Sequence, residues 1–376
     1  MKFWPYLGVA FIQAFLFLAH WFIYRTCIDF FPSLSPSASH DLKVALVLLS
    51  LSFIVAALLA FRLSNWLVAL FYKFAAVWLG FLNFIFFAAC LCWPVDAALR
   101  VASLPPQRPL IAAILFGLAI LAGLYGLINA IRIRIHRVPV ELPNLPDSWR
   151  GRTAVLLSDL HLGNVNAEGF CRRVVGLINR LQPDIVFLPG DFFDGTPVNP
   201  DRLAAPFRQL TPPFGIYFST GNHDEFGKLP RYLQALKSVG IRVLSGQCVI
   251  VDGLQVVGIS YRDSTSAARV TALIEKLRLS PDEPSILLNH VPNRLPQVEQ
   301  AGISLQLSGH THGGQIFPFT WLTRRVFGKF THGLQRSGAL QVFTSYGVGT
   351  WGPPMRVGTY PEIVVFTFEL GRTPQP

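Results

Sequence analysis

The sequence has few charged residues. Only 14% of its 376 residues are Asp, Glu, Lys or Arg, against roughly 25% in ordinary soluble domains. Hydrophobic residues make up 51% of the chain. This composition excludes an intrinsically disordered chain and disfavours an ordinary cytosolic enzyme. The length predicts two or three domains.

The sequence also lacks a cluster of cations, although its net charge is +11. Residues 1–150 contain 11 basic and 5 acidic side chains, and residues 151–376 contain 21 and 16, without a run of Lys or Arg. A nucleic-acid-binding surface needs cations concentrated on one face. We therefore expect no nucleic-acid partner.

The five cysteines show no regular spacing and no C-x-x-C pair. They are Cys27, Cys90, Cys92, Cys171 and Cys248. This excludes the spacing typical of a disulfide framework or a zinc knuckle.

Four long apolar runs without any charged residue are present, at 3–24, 44–61, 74–93 and 110–131. A membrane-spanning helix needs about 20 apolar residues to cross a hydrocarbon core roughly 30 Å thick. The alternative, a set of buried core helices, would require polar faces that these runs do not offer. Residues 1–131 are therefore predicted to form a transmembrane region of about four helices.

Four spans place the N-terminus and the C-terminal half on the same side of the membrane. Six cations would lie on that side: Lys2, Arg62, Lys73, Arg132, Arg134 and Arg137. Four would lie on the other: Arg25, Lys43, Arg100 and Arg108. Because cytoplasmic loops carry the excess of Lys and Arg, we predict a multi-pass protein of the cell (inner) membrane with a cytoplasmic C-terminal half.

Residues 132–150 are predicted to be a juxtamembrane linker. Ile133 and Ile135 alternate with Arg132 and Arg134, and three prolines follow. A snorkelling helix end followed by an extended tether accounts for this pattern, and contact with anionic lipid heads is a further possible role. Residues 151–376 then form the second domain.

In this second domain, short β-rich runs alternate with amphipathic stretches, which predicts a layered α/β or α+β fold. Five of the runs end in side chains that can bind metals. The five endings are Asp159-Leu160-His161, Gly190-Asp191 with Asp194 beyond it, Gly221-Asn222-His223, Asn289-His290, and Gly309-His310-Thr311-His312. Any one of them is more often an ordinary turn. Because ligands collect at the carboxyl ends of strands in open α/β sheets, the set of five predicts one shared metal site.

These five blocks, in this order, resemble the calcineurin-like metallophosphoesterase superfamily. The stretches 309–315, 344–356 and 361–365 further resemble its membrane-associated bacterial phosphodiesterase branch. The resemblance covers residues 153–368 and implies a four-layer α-β-β-α sandwich with two divalent metal ions. In the family pattern Asp159, His161 and His312 would hold the first ion, Asn222, His290 and His310 the second, and Asp191 would bridge them.

This implied ligand set contains oxygen and nitrogen but no thiolate, which suits Mn, Fe, Zn or Co. Two such ions can clamp phosphoryl oxygens and generate a hydroxide for in-line attack. The resemblance further implies that His223 protonates the leaving oxygen and that Asp194 orients its imidazole. A loop cap is the alternative role for Asp194.

Two features bear on the substrate. The Ser/Thr protein phosphatase branch has an arginine where this sequence has Gly195, which disfavours phosphoprotein substrates. Residues 316–334 interleave aromatic side chains with Arg324, Arg325 and Lys329. This stretch is either a packed loop with a solvated basic edge or an interfacial element that guides an anionic lipid head. Arg356 is another candidate for phosphate binding.

The leading hypothesis is a membrane-anchored phosphoesterase that hydrolyses a phosphodiester or pyrophosphate bond of a lipid-linked substrate. Its expected partners are membrane lipids and a phosphorylated lipid or small molecule, and the sequence identifies no protein partner. One alternative is a tethered phosphodiesterase acting on soluble (cyclic) nucleotides. Another is a membrane sensor or transport component with a regulatory phosphoesterase domain.

Overall fold

The computed structural model describes residues 4–105 and 107–371. It begins with four long helices: α1 (Trp4–Phe30), α2 (Pro36–Ala60), α3 (Trp66–Val101) and α4 (Arg108–Ala130). All four are long and apolar enough to cross a membrane, with a mean hydropathy of 1.8 to 2.6 in their most apolar windows. The four predicted spans are therefore confirmed as helices. Phe3, the first residue of the first predicted span, lies outside the described residues.

The helices extend beyond the charge-free runs that predicted them. Residues 44–60 and 74–93 are only parts of α2 and α3, which have 25 and 36 residues, and Phe61 is the C-cap of α2. Capping side chains begin both helices, since Ser35 Oγ accepts from the Ala38 amide at 3.2 Å and Asn65 Oδ1 from the Val68 amide at 3.0 Å. Capping and backbone hydrogen bonding set the end of a helix, so a charge does not terminate it.

The chain forms two compact units. One contains the helical residues to Ile128 together with residues 352–355, and the other contains Asn129–Trp351 and the chain from Arg356 onward. In the helical unit, Leu16, Leu46 and Ala89 are buried together in one apolar cluster. The Trp78 indole donates to His20 Nε2 at 2.9 Å. Apolar packing and internal hydrogen bonding thus hold the first three helices together.

Over its described residues, 129–351 and 356–371, the second unit contains twelve strands and eight α-helices. The strands are β1 (Arg134–Leu142), β2 (Thr153–Leu156), β3 (Ile185–Pro189), β4 (Ile216–Ser219), β5 (Ile241–Val243), β6 (Gln247–Val251), β7 (Leu254–Gly258), β8 (Ser285–Leu288), β9 (Leu305–Ser308), β10 (Gly333–Ser337), β11 (Leu340–Thr344) and β12 (Glu362–Leu370). The helices are α5 (Glu168–Leu181), α6 (Pro200–Ala204), α7 (Asn222–Phe226), α8 (Leu229–Ser238), α9 (Tyr261–Ser264), α10 (Ala267–Leu277), α11 (Leu295–Gln300) and α12 (Phe319–Phe327).

Two six-stranded sheets form the inner layers of this unit. Their orders are β1-β12-β2-β3-β4-β5 and β10-β11-β9-β8-β7-β6. Side chains such as Leu156 and Ile286 fill the core between the sheets. The alternate side chains of the strands, such as Val155 and Val257, pack against helices on the outer faces. This is the four-layer α-β-β-α sandwich that the resemblance implied.

The segment predicted to be a free linker, residues 132–150, instead contributes a strand to the sandwich. β1 pairs in parallel with β12 over its whole length, from Arg134 opposite Glu362 to Leu142 opposite Leu370. Val140 and Leu142 are buried while Pro139 and Glu141 are exposed, which is the period of a strand. Pro139 is tolerated because β1 is an edge strand, where an amide need not donate to a neighbour. The linker prediction was therefore wrong over residues 134–142.

The order of the strands determines where the loops meet. β2, β3 and β4 are parallel neighbours in one sheet, and β8 and β9 are parallel neighbours in the other. Their carboxyl ends therefore lie at corresponding edges of the two sheets. The five sequence blocks that end in acids, amides and imidazoles follow these five strands.

Candidate metal centre

The loops after these strands have an unusual backbone conformation. Five of the seven candidate ligands have positive φ, which residues other than glycine rarely adopt. These are Asp159 (55°), His161 (46°), Asp191 (53°), His310 (69°) and His312 (45°). Each such residue costs on the order of 1–3 kcal/mol, and such residues cluster at functional sites. The surrounding fold holds these five side chains in place against that cost.

The first group of candidate ligands consists of Asp159, His161 and His312. His161 Nε2 lies 3.0 Å from His312 Nε2. Asp159 Oδ1 lies 3.4 Å from His312 Nε2 and 3.8 Å from His161 Nε2. All three residues are buried, so their ligand atoms face one another away from bulk water.

Asp191 connects this group to the second. Its Oδ2 lies 3.6 Å from His161 Nε2 and 3.1 Å from His290 Nε2. The rings of His290 and His310 are 5.1 Å apart, and His310 Nδ1 lies 3.0 Å from Asn222 Oδ1. The structure thus brings together all seven predicted metal ligands, with Asp191 between the two groups.

Glycines allow the loops to approach this closely. Gly190 has a φ of 94°, and a side chain there would contact the His290 ring and the Gly221 backbone. A side chain at Gly309 would overlap the side chains of Ser158 and Asp159. Both positions therefore require glycine, for its conformational freedom at Gly190 and for its small volume at both.

Hydrogen bonds leave the facing atoms free to bind a cation. His290 Nδ1 donates to the Pro189 carbonyl at 2.8 Å, so its Nε2 is the ring atom that faces Asp191 and would bind a metal ion. That Nε2 atom is buried and, although it lies 3.1 Å from Asp191 Oδ2, makes no well-oriented hydrogen bond within the described part of the chain. Buried polar atoms without partners are rare in folded proteins. Together with the oxygen and nitrogen donors, they fit divalent metal ions.

The charges of the metal-free site also fit cation binding. Burial lowers the pKa of His161 to about 3 and that of His310 to about 4, so both rings are neutral ligands near pH 7. Burial also raises the pKa of Asp159 to about 6. At Asp191 burial acts in the same direction, but the His290 and His161 rings outweigh it and lower the pKa. Asp191 in turn overcomes the effect of burial on His290 and raises its pKa to about 9, so a metal ion bound there would displace a proton from His290.

His223 lies beside the candidate ligands, and its ring centroid is 4.8 Å from that of His161. Its Nδ1 lies 3.0 Å from the backbone carbonyl of Asp194. The Asp194 carboxylate points elsewhere and accepts from the Thr196 amide at 2.8 Å and hydroxyl at 2.5 Å. The expectation that this carboxylate orients His223 therefore needs correction: the carbonyl orients the ring, and the carboxylate caps the loop.

Two other polar residues support the site. Ser158, which the sequence analysis missed, donates through Oγ to Asp159 Oδ2 at 2.6 Å. Asp224 accepts from the Asp191 amide at 2.8 Å and the Gly221 amide at 2.9 Å. Asp224 thus ties together the loops that follow β3 and β4. The position of Ser158, directly before a candidate ligand, is the only sequence signal for its role.

Arg356 does not face the substrate side of the site. It is fully buried and donates to the carbonyls of Tyr346 at 2.7 Å and Gly349 at 2.6 Å. Its Nη2 also lies 3.2 Å from His312 Nδ1. The expectation that Arg356 binds phosphate is therefore corrected, because the residue is buried and its Nη2 holds a loop and a candidate ligand in place.

The side chains of α12 lie at the surface of the protein, whereas Arg356 is buried. No residue of α12 is buried, and Trp321 and Val326 are 64% and 68% exposed. Arg324, Arg325 and Lys329 are also exposed, and the Lys329 ammonium donates to the Arg336 carbonyl at 2.7 Å. The exposure of the apolar side chains contradicts the packed-loop alternative. The segment presents apolar and cationic groups on one helix.

Two exposed aromatic rings and one half-buried ring, that of Phe327, lie next to the imidazoles. Phe226 is 70% exposed and its ring is 5.7 Å from that of His223. Trp351 is 59% exposed and its ring is 5.6 Å from that of His223. Phe327, at the end of α12, lies 6.1 Å from His310. We call Phe226, Phe327 and Trp351 the aromatic rim.

Comparisons with known proteins agree with this geometry. A sequence model of the calcineurin-like phosphoesterase family matches residues 153–314. The chain is 33% identical over 326 residues to a transmembrane protein with metallophosphoesterase domain from Danio rerio, covering 80% of this chain and 73% of that protein. It is 28% identical to an uncharacterized metallophosphoesterase of Campylobacter jejuni, covering 84% and 86% of the two chains. It is 31% identical to an uncharacterized metallophosphoesterase of Aquifex aeolicus, covering 67% and 98%.

Proposed function

Because the chain belongs to the calcineurin-like phosphoesterase family, a family of metal-dependent phosphoric ester hydrolases, we propose that it is a membrane-anchored dinuclear enzyme. It hydrolyses a phosphodiester or pyrophosphate bond in a lipid-linked substrate. The observation that carries this proposal is the position of Asp191, whose Oδ2 lies within 3.6 Å of His161 Nε2 and 3.1 Å of His290 Nε2.

The seven candidate ligands divide between two metal ions. Asp159, His161 and His312 would hold one ion, Asn222, His290 and His310 the other, and Asp191 would contact both. The donor set suits Mn, Fe, Zn or Co. When bound, two such ions polarise the phosphoryl group and supply the nucleophile from water.

His223 supplies the proton for the leaving oxygen. Its Nδ1–H donates to the Asp194 carbonyl, 3.0 Å away, so Nε2 is the atom that exchanges protons. A positioned imidazole of this kind contributes about 10²–10⁴-fold to a reaction rate. The carbonyl also orients the ring without placing a further negative charge beside the phosphate.

The surroundings of the site support an amphiphilic substrate. Phe226 and Trp351 offer exposed apolar surface within 6 Å of the His223 ring, which a wholly water-soluble headgroup would not cover. Arg324 and Arg325 add positive charge that attracts an anionic headgroup. Four helices suited to a membrane keep the enzyme where such substrates concentrate. We place it in the inner membrane with its catalytic domain in the cytoplasm, on the bias of Lys and Arg in the sequence.

The test uses the purified full-length chain in detergent, loaded with Mn²⁺. It should hydrolyse an aryl phosphodiester, and Asp191→Asn should abolish that activity. Asp147→Asn is the matched control, since the Asp147 side chain is 87% exposed. A metal-loaded wild-type chain that is inert toward aryl diesters, monoesters and pyrophosphates would overturn the proposal. If kcat/KM is equal for an acylated pyrophosphate and for its water-soluble headgroup, the proposal of a lipid-linked substrate is refuted, but that of a phosphoesterase is not.

A further inference from the structure

A second cluster of metal-binding side chains lies apart from the seven candidate ligands. It consists of Glu362, His136 and His332, which we call the Glu362 cluster. One ligand atom from each residue lies within 4.8 Å of the other two. Glu362 begins β12, His136 lies on the neighbouring strand β1, and His332 lies just before β10. The fold thus brings three distant parts of the sequence together here.

We propose that Glu362, His136 and His332 form a third metal site, which takes Zn²⁺. His136 Nδ1 lies 3.3 Å from Glu362 Oε2, and His332 Nε2 lies 3.1 Å from Glu362 Oε1. Two ligands bound tetrahedrally to zinc at about 2.0–2.1 Å lie roughly 3.3 Å apart. Each ring nitrogen therefore already lies near that distance from one carboxylate oxygen, His136 from Oε2 and His332 from Oε1. The ligand atoms of the two rings lie within 4.8 Å of each other and would move closer on binding.

The carboxylate is held as a ligand would be. Glu362 is fully buried, and its Oε1 also accepts from Ser345 Oγ at 3.1 Å and the Tyr346 amide at 2.8 Å. Burial favours the neutral acid, but the hydrogen bonds from His136 and His332 outweigh it and lower the pKa of Glu362 to about 2. A divalent ion bound to the two imidazoles would replace their protons as the positive charge beside this buried carboxylate.

The two imidazoles would provide the remaining protein ligands of the zinc ion. Their partial exposure also gives the ion a path from solvent. Their rings are stacked, with centroids 6.0 Å apart, and their side chains are 38% and 19% exposed for His136 and His332. A site with two histidines and one carboxylate is a frequent zinc set that leaves one position for water. The partial exposure of the rings allows that water to reach the ion from solvent.

The position of the cluster gives the ion a structural role. The Tyr346 ring stacks on His332 with centroids 3.6 Å apart, and the Tyr346 carbonyl accepts from Arg356. Arg356 in turn lies beside His312. An ion at Glu362 would therefore stabilise the loop that supports the catalytic centre while contacting none of the seven candidate ligands.

The experiment measures zinc bound to the full-length chain in detergent, after chelation, reloading with Zn²⁺ and removal of free metal. His136→Gln/His332→Gln should lower the bound zinc by about one ion per chain, since it removes two of the three protein donors. It should also remove part of the rise in Tm that zinc produces. His40→Gln, at an exposed histidine of α2, is the control and should bind as much zinc as the wild type.

Two further measurements separate this site from the catalytic one. On an Asp191→Asn background, which weakens the dinuclear centre, the remaining zinc should disappear when His136→Gln/His332→Gln is added. The double variant should retain Mn²⁺-dependent hydrolysis of an aryl phosphodiester, which shows that it folds. Zinc content equal to that of the wild type in the folded double variant would overturn the proposal and leave the cluster as a hydrogen-bonded charge network.

Discussion

Arg356 Nη2 lies 3.2 Å from His312 Nδ1, and both residues are in the interior of the second unit. The same guanidinium donates to the carbonyls of Tyr346 and Gly349. Burial lowers the pKa of Arg356 to about 10, which still leaves it charged at neutral pH. The residue therefore acts through the folded structure and not through contact with substrate.

The first prediction concerns Arg356→Met, which leaves several buried carbonyls without donors. Such a loss costs about 3 kcal/mol, so Tm should fall by roughly 5–10 °C even without metal. Thermal unfolding of the full-length chain in detergent measures this change. Arg173→Met, at an exposed position of α5, is the control and should leave Tm unchanged. A higher KM with an unaltered Tm would instead restore the interpretation of Arg356 as a phosphate ligand.

The second prediction compares the effects on kcat of substitutions at Asp194 and at His223. Asp194→Asn keeps an oxygen that can accept from Thr196 and keeps the carbonyl that lies 3.0 Å from His223 Nδ1. It should therefore lower kcat less than about 10-fold, whereas His223→Asn should lower it about 10²–10⁴-fold. Steady-state kinetics with an aryl phosphodiester compares the two. Equal losses in both variants would mean that the carboxylate itself acts on the imidazole.

The parts of the site that could be predicted from the sequence are those encoded locally. Asp159 and His161, like His310 and His312, lie two residues apart directly after a strand, so each pair marks a strand end. The parallel order of β2, β3, β4 and of β8, β9 then brings the pairs together. The sequence alone could not show which group orients His223, because that group is a backbone carbonyl and every residue type has one.

The errors arose where one pattern fits two structures. Alternating Ile and Arg at 131–135 suits a snorkelling helix end as well as an edge strand, and only the pairing of β1 with β12 decides between them. The Glu362 cluster was missed for another reason. His136 and Glu362 are separated by 226 residues, so no spacing rule connects them. Their proximity follows from the order of strands in the sheet.

The third prediction tests the need for close backbone approach at Gly190. Alanine there would have a φ of 94° and would press against His290 Nδ1 and the Gly221 backbone. Gly190→Ala should therefore abolish metal-dependent hydrolysis and reduce metal content, measured by elemental analysis after desalting. Gly240→Ala is the matched control, with a φ of 86° but open space around the added methyl group. If both variants lose activity equally, backbone strain and not contact with His290 is the cause.

A fourth prediction concerns Asp184, which anchors the start of β2. It accepts from Arg152 Nη1 at 2.7 Å and from the Thr153 amide at 2.7 Å. Burial alone would raise the pKa of Asp184, but these hydrogen bonds outweigh it and lower the pKa below its usual value. Its charged form therefore stabilises the fold above pH of about 4, and this contribution is lost as pH falls through the folded-state pKa.

Asp184→Asn should accordingly destabilise the chain by about 1–2 kcal/mol at pH 7. The difference in Tm from the wild type should shrink below pH of about 4, as measured by thermal unfolding across a pH series. Asp147→Asn, which removes the exposed Asp147–Arg150 pair, should show no such dependence. A difference between Asp184→Asn and the wild type that stays constant from pH 7 to pH 3 would contradict the role of the charge.

The fifth prediction tests the aromatic rim as the binding surface for the apolar part of the substrate. Phe226→Ala and Trp351→Ala each remove an exposed ring within 6 Å of His223, at a cost of about 1.4 kcal/mol of apolar contact with a lipid substrate. KM for an acylated pyrophosphate should therefore rise about 10-fold, while kcat/KM for a small aryl phosphodiester stays within about 2-fold because that substrate does not extend over the rim. Ile250→Ala removes an equally exposed apolar side chain from β6 and should change neither value. If kcat/KM falls equally for both substrates, the two rings act by positioning His223. If KM for the acylated substrate is unchanged, its apolar part binds elsewhere.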